Sequence, residues 1–286
     1  MGPLTGRNAR GARLRYAPGV APVLSRFLAV AFALVAAGAA SAAAPVPRLE
    51  AVRAAGVLRV CIWPDYYGIT WRNPKTGQLD GFDIDMARAF ARDLGVKPAF
   101  VDSSFPSFAR DLDADRCDVA MFAIGKLPAR LALADFTRPV LESDIYGVAT
   151  RSSRVVRRWE DIDRPGVNVA VQAGTFMEPV MREKLKLATL VVVAPPRTRE
   201  EELEAGRVDV FMTDYPYSRR LLDNADWARL VAPPAPFLRL PYAYAVRKGE
   251  AAWLARVDEF VAKARADGRL AETAKRHRLE AVLAAP

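Results

Sequence analysis

The chain has 286 residues, 51% of them hydrophobic and 26% charged, which is the composition of a soluble globular protein of one large or two medium domains. Its formal charge of +9 is concentrated at the start: residues 1–42 hold five arginines and no acid, and without them the charge falls to +4. What remains has no basic cluster interleaved with aromatics, which excludes a nucleic-acid-binding surface.

Those first 42 residues read as an export signal. An arginine-bearing stretch ends at Arg26, an apolar run follows from Phe27 to Ala37, and Ala40-Ser41-Ala42 offers small residues for cleavage after Ala42. The apolar run is shorter than the roughly 20 residues a membrane span needs. The expectation is a soluble periplasmic protein with residues 1–42 removed. Two cysteines, Cys61 and Cys117, suit that oxidising compartment and one disulfide; buried free thiols are the alternative. His277 is the only histidine, so a metal site on the two cysteines is not expected, and the histidine itself reads as a solvated residue of a C-terminal helix.

From Leu49 the pattern alternates. A short helix ends at Gly56, and Leu58–Ile62 is an apolar strand of the buried kind. Trp63–Gly68 leaves that strand as an aromatic loop, and Asn73–Gly77 carries turn chemistry. In residues 81–94, Ile84, Ala87, Ala91 and Leu94 recur at three- and four-residue spacing, the stripe of an amphipathic helix. Asp83 and Asp85 stand in its first turn, where the helix dipole favours negative charge, and Gly95 stops it. A strand at Pro98–Val101, a helix opening at Ser104–Phe108 and a strand at Asp118–Phe122 follow. This order predicts a doubly wound, mostly parallel sheet. A second set begins near Val167: strand Val167–Val171, a turn at Ala173-Gly174-Thr175, a helix over Glu178–Lys186, strand Leu190–Val193, helix Glu200–Ala205 and strand Val208–Thr213. After the break at Pro233–Pro236 come a strand at Tyr242–Val246 and a helix through Trp253, Val257, Phe260 and Val261.

Four stretches, Gly81-Phe82-Asp83-Ile84-Asp85, Val171-Gln172-Ala173-Gly174-Thr175, Tyr244–Gly249 and Ala266–Leu270, resemble in order those of family-3 solute-binding proteins, which include the periplasmic receptors for polar amino acids. The resemblance runs from about Leu49 to His277; Phe90 departs from it, standing where a smaller aliphatic residue is usual. It implies an α/β, two-lobed periplasmic binding protein fold of type II, with two crossover hinge segments near Glu142–Val148 and Phe237–Tyr242. Residues 43–145 with 238–286 would form lobe 1, and 146–237 lobe 2. It also implies a monomer without cofactor that hands a small-molecule ligand to an ABC transporter permease.

Ligands of open parallel sheets sit beyond the carboxyl ends of the strands. That rule selects the loops after Ile62, Val101, Phe122, Val171 and Thr213, which carry Asp65, Tyr66, Phe105, Arg130, Thr175 and Asp214. An arginine with an aspartate can fix a zwitterion, and two aromatic faces can sandwich the rest of it. By the resemblance, Arg130 in Pro128-Ala129-Arg130 grips the α-carboxylate, Tyr66 and Phe105 stack, and Asp214 takes the amino group. A surface arginine and core aromatics are the plain alternatives. Phe122–Leu127 lacks the hydroxyl residues common before that arginine, and Phe176 stands where a threonine is common. Backbone N–H groups near Gly125 and the Lys126 side chain are expected to substitute, and a more apolar ligand fits these changes.

Two further resemblances compete. Phe105–Asp111 and Asp163–Val167 are similar to a periplasmic cyclohexadienyl (prephenate/arogenate) dehydratase of the same family, in which Glu178 would be the proton donor. The words around Cys61 and Cys117 resemble binding-protein-like partners of periplasmic quinoprotein dehydrogenases. Gly125-Lys126 lacks the spacing of a phosphate loop.

Overall fold

The structure, a computed structural model, describes residues 47–285; the predicted export signal lies outside the described residues. Helix α1 (Arg48–Ala55) ends in the left-handed Gly56 and feeds β1 (Val57–Ile62), whose last three residues are buried. Trp63–Gly68 is not simply a loop. Its β2 (Asp65–Tyr66) pairs with β3 (Thr70–Arg72), which pairs with β4 (Leu79–Asp80), making a small antiparallel sheet closed by the Asn73–Gly77 turn.

Helix α2 (Phe82–Leu94) follows, and its predicted stripe is buried, but so are Phe82, Asp83, Met86, Ala89 and Phe90. It is packed on two sides. The sheet covers one, and Phe90 meets Trp253 and Phe260 at ring distances of 5.7 and 4.8 Å on the other, which accounts for the large residue there. Gly81, in front of the helix, has φ +134°, and a Cβ would lie 2.2 Å from the Ile69 carbonyl oxygen, so only glycine fits. Asp83 is also more than a dipole partner. It is fully buried and accepts hydrogen bonds from the Ala123 N–H (2.8 Å) and the Tyr244 hydroxyl (2.9 Å). Burial pushes its carboxyl up to about 7 against those two bonds.

The first sheet continues through β5 (Lys97–Asp102), α3 (Phe108–Asp113), β6 (Val119–Gly125), α4 (Pro128–Leu131), β7 (Ala134–Phe136) and β8 (Leu141–Ser143). One residue later the chain enters the second sheet with β9 (Ile145–Thr150). That sheet is completed by β10 (Asn168–Gln172), α5 (Met177–Lys184), β11 (Thr189–Val193), α6 (Arg199–Glu204), β12 (Val210–Asp214), α7 (Tyr215–Leu222) and β13 (Ala228–Val231). The chain then returns to the first sheet as β14 (Leu240–Arg247) and ends in α8 (Ala251–Ala266) and α9 (Arg269–Arg276).

The strand orders are β5-β1-β6-β14-β7, with β8 also on β14, and β11-β10-β12-β9-β13. Each sheet therefore has three parallel strands joined by crossover connections, extended by antiparallel strands where the chain crosses over. The two sheets are the cores of two lobes. Cys61 on β1 and Cys117 just ahead of β6 are joined in a disulfide, their Cα atoms 5.6 Å apart. His277 departs from the solvated residue expected. Its side chain is 9% exposed, with Nε2 3.0 Å from Asp85 Oδ2, because α9 packs against α2. Among the described residues no helix is long and apolar enough to cross a membrane.

Candidate functional site

The carboxyl ends of the central strands of both sheets face one cavity. Trp63 and Tyr66 leave β1, Phe105 follows β5 and Ala123 sits near the end of β6; Thr175, Thr213 and Asp214 come from the ends of β10 and β12. Phe176, Met177, Arg199 and Tyr217 complete its lining. The volume is about 20 Å³, room for roughly one water molecule. Trp63, Tyr66 and Phe105 form an aromatic wall, with ring centroids 5.3 to 5.9 Å apart.

Asp214 ends β12 and caps α7, its Oδ1 accepting from the Tyr217 N–H at 3.1 Å. Its Oδ2 accepts hydroxyl hydrogens from two residues of the first lobe, Tyr66 and Tyr242, the latter at 2.8 Å. The carboxyl is 1% exposed, and burial raises its pKa despite these donors. Burial, reinforced by the Asp214 charge, likewise drives the Tyr66 and Tyr242 phenols well above their ordinary range, so both stay protonated donors.

Arg130 projects from α4, a short helix started by Pro128 directly after β6. Its guanidinium donates to the Gly125 carbonyl (3.2 Å) and, across to the second lobe, to the Gly174 carbonyl (2.9 Å). It lies 5.2 Å from the Phe105 ring and 5.9 Å from that of Phe108. Among the described residues no carboxylate is within ion-pair distance of it, and burial pulls its pKa down to about 10. Gly174 is pinned where it is: φ is +72°, and a Cβ would meet Pro106 Cγ at 2.4 Å.

The profile of the bacterial extracellular solute-binding proteins, family 3, matches residues 58–280. The chain belongs to this family. Among similar proteins, a cyclohexadienyl dehydratase from Pseudomonas aeruginosa is 33% identical over 213 residues, covering 74% of this chain and 79% of that protein. The L-cystine-binding protein TcyJ of Escherichia coli is 26% identical over 241 residues, 84% of this chain and 90% of that one. A crystal structure of an ancestral amino acid-binding protein, a precursor of cyclohexadienyl dehydratase, matches with a TM-score of 0.72 at 28% identity, over 80% of this chain and 98% of its own.

In this family-3 protein, the residues expected from sequence separate into two groups. Tyr66, Phe105, Thr175 and Asp214 line the cavity and Arg130 stands beside Phe105. Asp65 is exposed on β2 of the small sheet, and the Lys126 ammonium donates to the Thr137 carbonyl at 3.1 Å; neither lines the cavity. Glu178 is also outside the lining. It accepts from the Gly174 N–H at 3.0 Å and pairs with Arg182 at 3.2 Å. Thr175 turns its hydroxyl to the Gln172 carbonyl.

Sequence reasoning missed Trp63, Tyr217, Tyr242 and Arg199. The strand-end rule could have found Arg199, since it follows β11 in the one connection of the second sheet left off the list of ligand loops. Thr198 and Glu201 form a capping box that starts α6 and fixes Arg199 in its first turn. The guanidinium carbon then sits 4.7 Å from the Tyr217 ring and 5.1 Å from that of Phe211.

Proposed function

We propose that this protein captures a small carboxylate-bearing solute, an amino acid or a close relative, between its lobes in the periplasm and presents it to an ABC importer. The observation that carries this reading is Arg130, a guanidinium 7% exposed that bridges the lobes through backbone carbonyls alone. A cation held out of water without an ionic partner is costly, and a planar fork of donors suits a carboxylate brought in from outside. Asp214 and the aromatic wall supply an acceptor and an apolar face beside it. Ligand first held on one lobe would favour the closed arrangement by adding contacts to the other.

A thermal-shift screen of amino acids and related acids tests this. The true ligand raises the melting temperature of the purified protein, and Arg130→Met is expected to abolish that rise. Losing two charge-assisted hydrogen bonds is worth roughly 3–6 kcal/mol, about 10²- to 10⁴-fold in affinity. An undiminished shift in the variant would reject the carboxylate clamp.

A second reading draws on the 33% identity to the Pseudomonas aeruginosa dehydratase, with Glu178 as general acid. The contacts of Glu178 with Gly174 and Arg182, away from the cavity lining, favour binding over catalysis. Steady product formation from prephenate or arogenate that disappears in Glu178→Gln would reverse that preference.

A further inference from the structure

Arg199 is the second buried guanidinium at the cavity, and the reading above gives it no task. It is 3% exposed and lines the cavity directly. Of its five N–H donors, one is spent on the Met212 carbonyl at 2.8 Å. Its Nε is buried and has no partner among the described residues. The nearest acid on its own helix, Glu200, is 3.8 Å away, beyond hydrogen-bond reach, and its Oε1 already accepts the Tyr217 hydroxyl at 2.9 Å. Glu200 does not line the cavity.

A leucine or methionine at position 199 would close this corner of the cavity without burying a charge. The arginine is instead held rigidly between the faces of Tyr217 and Phe211, with donors unspent. Such a group, fixed in a water-poor site, is prepared for an anion. Arg199 and Asp214 are the charged residues of the lining, Arg130 stands beside it against Phe105, and Glu200 lies outside it 3.8 Å from Arg199; a neutral zwitterion held by Arg130 and Asp214 therefore leaves the buried Nε of Arg199 without an acceptor.

We infer that Arg199 is a specificity-determining residue that pairs with a second carboxylate of the solute. The ligand class is then an amino acid bearing two carboxylates and one ammonium group. This rests on the proposed reading, in which Arg130 takes the α-carboxylate and Asp214 the ammonium. The aromatic lining sets the body between the two carboxylates against apolar faces.

Acid and amide pairs of equal size isolate the charge. Calorimetric titration of the purified protein with L-glutamate and L-glutamine, and with L-aspartate and L-asparagine, is run beside neutral and cationic amino acids. The acid of at least one pair is expected to bind about 10- to 100-fold tighter than its amide, the worth of a charged hydrogen-bonded contact. Arg199→Gln is expected to erase that ratio by weakening the acid alone, and Arg199→Lys to keep part of it. The inference is overturned if an amide, a neutral or a cationic amino acid binds as tightly as the acids, or if the ratio survives in Arg199→Gln. The wild-type ratio decides the matter even if the variants do not fold. Failure of every amino acid to bind overturns the carboxylate-solute reading itself, and this assignment with it.

Discussion

The Asp214 carboxylate joins the lobes at one buried point, and two substitutions probe it in complementary ways. Tyr66→Phe removes one donor and leaves nothing unsatisfied, because Oδ2 keeps Tyr242 and Oδ1 keeps the Tyr217 N–H. The ring stays in place against Trp63 and Phe105. A hydrogen bond to a charged group is worth roughly 1.5–3 kcal/mol, and with the acceptor still occupied the cost should lie near the bottom of that range. Asp214→Asn keeps the shape, but its amide nitrogen cannot accept, so two buried hydroxyls lose a charged acceptor together. Their loss comes to about 3–6 kcal/mol, offset by relief of the carboxylate's burial, for a net of roughly 2–4 kcal/mol. Urea denaturation with the slope checked for constancy measures both, and the double variant supplies the coupling energy, expected to exceed about 1 kcal/mol. An Asp214→Asn protein as stable as Tyr66→Phe, or additivity in the double variant, would refute the idea of one acceptor shared by two phenols.

Replacing both Cys61 and Cys117 by alanine opens a link across 56 positions of chain. Chain-entropy reasoning puts the loss at about 4 kcal/mol, readable as a lower denaturation midpoint that reductant no longer changes. At Asp83 the folded-state pKa near 7 lies above the value of 3.8 for a free carboxyl. The folded state therefore binds the extra proton, and its stability falls as pH rises from about 4 to about 7, by up to roughly 4 kcal/mol. Asp83→Asn is expected to flatten that part of the stability profile; an unchanged slope would mean that another group is responsible.

Local pattern carried most of the architecture. Apolar runs gave β1, β6, β10 and β12, and turn chemistry gave the Asn73–Gly77 reversal, since each depends on neighbours in sequence. What failed depends on neighbours in space. Asp83 reads as a first-turn acid, yet its partners Ala123 and Tyr244 are 40 and 161 positions away. Phe90 looks anomalous until α8 is folded over it. Asp65 and Lys126 satisfy a rule about loops, but strand pairing turns one outward and a backbone carbonyl holds the other. Arg199 was overlooked because an arginine in the first turn of an acidic helix looks like a solvated residue; the strand-end rule places it in a ligand loop, and the packing of Tyr217 and Phe211 against it shows that it faces inward. Tyr242 sits mid-strand, and no linear pattern says that its hydroxyl reaches a residue of the other sheet.

Strand β14 occupies the interior of the first sheet, bonded to β6 on one side and to β7 and β8 on the other. It is supplied by residues 240–247, after the whole second sheet has been made. A nascent fragment stopping short of Leu240 has β6 as an open edge, and β7 and β8 as orphans with no hydrogen-bonding mate. It also lacks α8 and thus the cover over Phe90. Premature termination before Leu240, even with about five-sixths of the chain already made, should accordingly yield not a crippled half-receptor but an unfolded, protease-sensitive polypeptide.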